Sequence, residues 1–204
     1  MNKASTSRNY VGLQFMNMQR MLIWMLTWMV LLSCQLAIAS AGMLVVSKES
    51  GKTYLLFVQT HKHNYYEFPG GRLERASSLV DTSSKTESPY ETAVRETVEE
   101  MRGYLGHQQL LAASSEVNFV EAGKYRVYIA QLPFFNLNYV REIKIPKGKK
   151  WSVMREVVNY AWVDLASISK AKDGLVTTSE GQTIELGPDV LTVIKYGQSK
   201  QWFD

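Results

Sequence analysis

One helix constrains this chain more than any other feature. Ser88-Pro89-Tyr90-Glu91 marks its start: Ser88 is the N-cap, Pro89 sits at the first helical position where its missing N–H costs nothing, and Glu91 closes a capping box. From there Tyr90, Val94, Thr97, Val98 and Met101 recur at three- and four-residue spacing and form the stripe expected to face a core. Thr92, Glu96, Glu99 and Gly103 lie on another side, so the carboxylates are expected to face away from the packing surface, with Gly103 as C-cap. At about 100° per residue, Glu96, Glu99 and Glu100 fall within an arc of roughly 100°. Folding alone gains nothing from crowding like charges. The face fits a divalent cation held by hard oxygen ligands and shared with a phosphorylated substrate. It equally fits a solvated acidic surface, and spacing does not separate the two. Arg95 stands four residues from both Glu91 and Glu99.

Upstream lies the turn Phe68-Pro69-Gly70-Gly71, with Glu74 beyond it. Taken with Glu87, Arg95-Glu96, Glu99-Glu100 and Gly103, this turn resembles the box of the Nudix hydrolases. In that family a Gly is followed after five residues by Glu, then after seven by Arg-Glu, an apolar residue, any residue, Glu-Glu, any residue and Gly. The resemblance implies Glu96, Glu99 and Glu100 as ligands of Mg²⁺, with Mn²⁺ as a substitute. It also implies a supporting ion pair between Glu87 and Arg95, and Gly70 and Gly71 shaping the loop beside a diphosphate. The activity it implies is hydrolysis of the pyrophosphate bond in a nucleoside diphosphate linked to another moiety. The alternative is a noncatalytic Nudix-like nucleotide sensor or protein-interaction module.

The chain departs from the family pattern in three places. Fifteen residues separate Gly71 from Glu87 where the family has five, which places an insertion at Arg75–Lys85. That stretch is mostly small and polar, and added loop length is thermodynamically cheap. Thr97 replaces the apolar residue, and Arg102 stands where Gly is expected, with Gly103 one residue late. No candidate ligand is lost. The residue that takes the water's proton is left open among Glu100 itself, Glu156, which shortly precedes Tyr160-Ala-Trp-Val-Asp164, and Glu121. For Glu156 the competing expectation is a surface pair with Arg155 or Lys150.

Charge bears on partners only locally. Of the net charge of +4, Lys3, Arg8 and Arg20 supply three, and no helix-turn-helix, zinc-finger or RNA-binding signature is present, so no nucleic acid polymer is expected. Arg141, Lys144, Lys147, Lys149, Lys150 and Arg155 gather around one loop with Glu142 as the sole acid. They fit a polyphosphate, with Lys147 and Lys149 binding substrate, an anionic lipid surface, or a solvated hairpin rim. The partner expected is a phosphorylated small molecule. His61, His63 and His107 are too scattered for a zinc site, and the single Cys34 excludes an internal disulfide.

Residues 1–38 concern address. No charge falls between Arg20 and Lys48, and Met21–Ser33 resembles the apolar region of a secretory signal. Leu31-Leu32-Ser33-Cys34 resembles a bacterial lipoprotein box, which would anchor the chain by lipid at Cys34. Ala39-Ser40-Ala41 offers a second cleavage site, and an uncleaved membrane anchor or a later translation start are the remaining readings. The expectation is a membrane-associated or exported protein, or a cytoplasmic one if the segment is not used.

Residues 39–204 fit one domain. Strands are expected at Ala41–Val46 and Thr53–Val58 around a turn at Lys48–Lys52, then at Val117–Ala122 and Lys124–Ala130. Further extended segments are expected at Tyr139–Ile145 and Val157–Val163, with short helices at Asp164–Ala171 and Asp189–Tyr196. Strands, an acidic helix, strands and terminal helices make an α/β fold with a mixed sheet, similar to the Nudix α/β/α sandwich.

Overall fold

The structure, a computed structural model, describes residues 38, 40–73, 87–122, 124–148 and 153–203. Met21–Ser33, Cys34, the whole Arg75–Lys85 insertion, Lys149 and Lys150 lie outside the described residues. Among those described, no helix is long and apolar enough to cross a membrane.

Six strands form the main sheet: β1 (Ser40–Glu49), β2 (Lys52–Thr60), β3 (Gly70–Arg72), β4 (Ser114–Ala122), β5 (Tyr125–Gln131) and β6 (Val157–Asp164). Their order is β4-β5-β1-β2-β6, with β3 pairing to β1. β1 runs parallel to β5, and the other pairings are antiparallel, so the sheet is mixed. Ser50 and Gly51, at φ 51° and 74°, make the two-residue turn between β1 and β2. Positive φ at both positions matches the twist of the paired strands.

Positions 41–47 of β1 are all buried. A strand buried on both sides needs cover on both faces, and five helices supply it: α1 (Pro89–Glu100), α2 (His107–Ala113), α3 (Leu137–Arg141), α4 (Leu165–Ser169) and α5 (Pro188–Ser199). On one face Met43, Val45, Leu56, Val58 and Trp162 pack with Ala93 and Val94 of α1, Leu110 of α2 and Val140 of α3. On the other, Leu44, Val46, Phe57, Val127 and Val163 pack with Ile168 of α4 and Val190, Val193 and Ile194 of α5. This is the expected α/β/α sandwich.

Two expectations are corrected here. Tyr139–Ile145 is not extended: Asn136 accepts a hydrogen bond from the Asn138 N–H at 2.9 Å and starts α3, which buries Leu137 and Val140 three residues apart. A side-chain cap and core spacing outweigh the β propensity of Tyr, Val and Ile. Helix α2 and a small hairpin, β7 (Leu175–Thr177) with β8 (Thr183–Glu185), were not anticipated.

The second correction concerns the end of α1. Its C-cap is Met101, and Arg102 takes the left-handed position at φ 55°, followed by Gly103 at φ 75°. Arg102 N–H donates to Glu99 O at 3.0 Å and Gly103 N–H to Val98 O at 2.7 Å, which closes a Schellman motif. An arginine is retained there by its side chain. Nη1 donates to Arg141 O at 3.1 Å, Nη2 reaches Val157 O at 3.4 Å, and the guanidinium lies 5.7 Å from the Tyr160 ring centre. Arg102→Ala loses those bonds and keeps the left-handed strain, whereas Arg102→Gly loses the bonds and relieves the strain. Urea denaturation is expected to find the Gly variant more stable than the Ala variant by about 1 kcal/mol. Equal stabilities would contradict this account of the cap.

Candidate functional site

The site forms where β3 meets α1. β3 pairs with the start of β1, Gly42 opposite Gly70 and Ala41 opposite Gly71, and the Met43 N–H donates to Pro69 O at 2.8 Å. α1 begins as expected, with the Ser88 side chain accepting from the Glu91 N–H and the Glu91 carboxylate accepting from the Ser88 N–H at 2.7 Å. Along a strand successive residues face opposite ways. A methyl group on Gly71 would overlap the Glu96 carboxylate, and one on Gly70 would overlap the Tyr125 hydroxyl and come within 2.6 Å of Ala41 O. Gly70 is therefore restricted to glycine by the backbone of Gly42 and Ala41 against it, whereas a methyl group at Gly71 would have to displace the end of the Glu96 side chain.

The carboxylates do not all face away from the core. Glu100 is only 6% exposed, and its Oε2 accepts from the Gly70 N–H at 2.8 Å. Position 100 continues the buried line through Ala93 and Thr97, and a backbone donor at its end makes a carboxylate acceptable there. Thr92 is also buried, donating to Glu87 Oε2 at 2.8 Å, and Thr97 donates to Ala93 O at 2.7 Å.

Arg95 organises the remaining acids. Nε and Nη2 engage the two oxygens of Glu87 at 2.9 and 3.1 Å, and Nη1 lies 2.9 Å from Glu96 Oε1 and 3.1 Å from Glu99 Oε2. The Glu87–Arg95 pair is present in bidentate form. Nη2 also reaches Arg72 O at 3.4 Å. Arg72 precedes the inserted segment and Glu87 follows it, so one guanidinium holds both of its ends. Burial alone would lower the Arg95 pKa, and the hydrogen bond it donates to Glu87, with the charge of Glu96, more than reverses this.

Burial is the main force on the other side of the site. It raises the Glu96 carboxyl, opposed by Arg95. It raises Glu100 further, opposed by the Gly70 N–H and reinforced by Glu96, Glu67 and Glu156. Glu67 and Glu156 thus share the field of Glu100. Glu67 itself is raised by burial and lies 3.7 Å from His63 Nε2. Glu156 accepts from Lys62 Nζ at 2.6 Å, while Arg155 donates to Pro146 O and Gly148 O. Glu121 is held by Arg126 across β4 and β5.

The structure brings Glu87, Arg95, Glu96 and Glu99 into one network and sets Glu100 against Gly70. As the side chains stand, no three Asp, Glu, His or Cys groups among the described residues converge on one point. Arg95 Nη1 draws an oxygen from each of Glu96 and Glu99, and Glu100 points elsewhere. The oxygens of Glu96, Glu99 and Glu100 are the donor type that a hard divalent cation takes, and a shared site would need Arg95 to release Glu96 and Glu99. Lys147 is exposed in the loop that Arg155 closes through Pro146 O and Gly148 O, at 2.9 and 3.0 Å, and does not join this network. Arg141 pairs with Glu180 at 2.9 Å. Arg155 thus serves the loop itself, and Arg141 ties the end of α3 to Glu180 and Tyr160 O. Tyr125 and Glu67 were not anticipated. Strand alternation with Val127 and Ile129 places Tyr125 under the glycines only once the pairing of β1 with β3 and β5 is known.

Stability should carry the mark of Glu100. A carboxyl raised above its unfolded value near 4.5 binds its proton more tightly in the folded chain. Its contribution is therefore most favourable below that value and declines as pH rises toward the folded one, by at most about 1.4 kcal/mol per pH unit. Without divalent metal, wild type is expected to lose more stability than Glu100→Gln between about pH 5 and 7. Parallel melting-temperature profiles for the two proteins would contradict the assignment.

No family model and no curated protein matches the chain. Similar solved structures include the C. elegans Ap4A hydrolase, 17% identical over 81% of this chain and 98% of that one, with a TM-score of 0.44. RenU, a Nudix hydrolase from M. smegmatis, is 15% identical over 80% of this chain and 86% of that one, with a TM-score of 0.45. Shewanella oneidensis NrtR is 15% identical over 79% and 62%, with a TM-score of 0.46. At these identities and scores the likenesses carry no argument about chemistry, which rests on the side chains.

Proposed function

We propose that this chain is a Nudix-type pyrophosphohydrolase that cleaves a nucleoside diphosphate linked to another moiety. The observation that carries the reading is the locked pair of β3 and α1. Gly70 is bonded to Glu100, Gly71 lies against Glu96, and Arg95 joins Glu87, Glu96 and Glu99. The box residues therefore meet in space although a long insertion separates them in sequence. Glu96, Glu99 and Glu100 would hold Mg²⁺, or Mn²⁺ in its place, which supplies charge neutralisation at the diphosphate oxygens and acidifies bound water. Gly70 and Gly71 let the β3 backbone lie directly against the Tyr125 hydroxyl and the Glu96 carboxylate. Glu87 keeps Arg95 in place behind the carboxylates, so the acidic face is held at a fixed height above β3.

In the reaction water adds to phosphorus, the bridging P–O bond breaks, and the water's proton passes to a carboxylate. Glu100 suits that last role by burial, which raises its proton affinity. Glu156 is the second candidate, placed in the field of Glu100 from the start of β6.

One observation favours the noncatalytic reading: Arg95 Nη1 engages both Glu96 and Glu99. A panel of nucleotide sugars, dinucleotides, oxidised nucleotides, NAD(H) and CoA, assayed for product release with Mg²⁺, separates the two. Turnover of at least one compound is expected, reduced about 100-fold or more in Glu99→Gln and Glu100→Gln with the fold retained. Binding without hydrolysis would establish a sensor. Wild-type turnover in both variants would refute the metal-ligand assignment.

A further inference from the structure

β3 is supported from both faces of the sheet. Glu96 and Glu100 of α1 meet it on one face, where Ala93 and Val94 pack. Tyr125 packs with the core on the opposite face, beside Val127 and Ile129. Its hydroxyl enters the space between β1 and β3 that two glycines leave open. A methyl group on either Gly42 or Gly70 would overlap that oxygen. The two glycines are directly paired across the strands, so the phenol ends under the point where the Gly70 N–H meets Glu100. Two adjacent strands lacking side chains around one hydroxyl is a specific fit, because a methyl on Gly42 would also lie 2.6 Å from Pro69 O.

We propose that Tyr125 is a positioning residue for the cation and diphosphate site, its hydroxyl setting the height of the Gly70–Gly71 strand against Glu96 and Glu100. The proposal rests on the function given above. Tyr125 acts through β3 and is not itself a ligand. Burial, then the charges of Glu100, Glu67 and Glu96, push its pKa well above the ordinary tyrosine range, so the phenol is held protonated beneath the acidic cluster. It fills the cleft as a neutral group where another carboxylate would add repulsion.

Tyr125→Phe keeps the ring and removes the oxygen. NMR-detected exchange of the Gly70 amide is expected to speed up about tenfold relative to the Val58 amide, whose hydrogen bond to Glu67 O lies outside the cleft. Mn²⁺ affinity is expected to fall about 10- to 100-fold, the usual cost of losing a residue that orients metal ligands. Any loss of turnover should fall in kcat rather than KM. Gly42→Ala presses on the hydroxyl from β1 and should give the same pattern. Unchanged Gly70 exchange with unchanged Mn²⁺ affinity in Tyr125→Phe would overturn the proposal. Equal acceleration at Gly70 and Val58 would also overturn it, since that is a general loss of stability. If wild type binds no Mn²⁺, the proposed function fails, and Gly70 exchange alone decides the role of Tyr125.

Discussion

The part-buried hydrogen bond from the Gly70 N–H to the Glu100 carboxylate, 2.8 Å long, is the interaction on which the rest of the site depends. A carboxylate at 6% exposure costs several kcal/mol without a partner. The backbone donor offsets part of that cost and ties β3 to the last turn of α1. Tyr160 Oη donates to Glu100 O at 2.8 Å, so the same residue is held by backbone and side chain. The like charges of Glu96, Glu67 and Glu156 also act on Glu100, with Arg95 set against Glu96 and Lys62 against Glu156. On the proposed function a divalent cation would add to these partners.

One side chain joins the residues on either side of the long insertion. Arg95 engages Arg72 O on one side and both oxygens of Glu87 on the other. Closing a longer loop costs only about 0.6 kcal/mol per doubling of its length. A bidentate ion pair and a further carbonyl contact can hold its ends together. Arg102 follows the same logic: a residue disfavoured in its backbone conformation is kept by contacts to Arg141, Val157 and Tyr160.

Features set by neighbours in sequence were legible from the sequence. The Ser88 cap, the β1–β2 turn, the strands around it and the Glu87–Arg95 pair all depend on local chemistry or on a spacing that a motif records. Features set by tertiary partners were not. Glu100 counts as polar in any helical periodicity, and only the Gly70 N–H, thirty residues away, makes its burial acceptable. The Tyr125 hydroxyl has meaning only once β1, β3 and β5 are in register. Asn136 was a readable signal for α3, outvoted by the β-branched and aromatic residues that follow it. The basic loop looked like a phosphate site by composition, yet its arginines are engaged by Glu180 and by the loop's own carbonyls.

The central claim is that the carboxylates of α1 hold a divalent cation against the glycines of β3. Titrating the isotope-labelled protein with substoichiometric Mn²⁺ and mapping paramagnetic broadening of its amide signals tests it most directly. The account predicts broadening centred on Gly70, Gly71 and residues 96–100, displaced by excess Mg²⁺. Broadening centred on another acidic group, such as Glu121 or Glu180, or none at all, would contradict it.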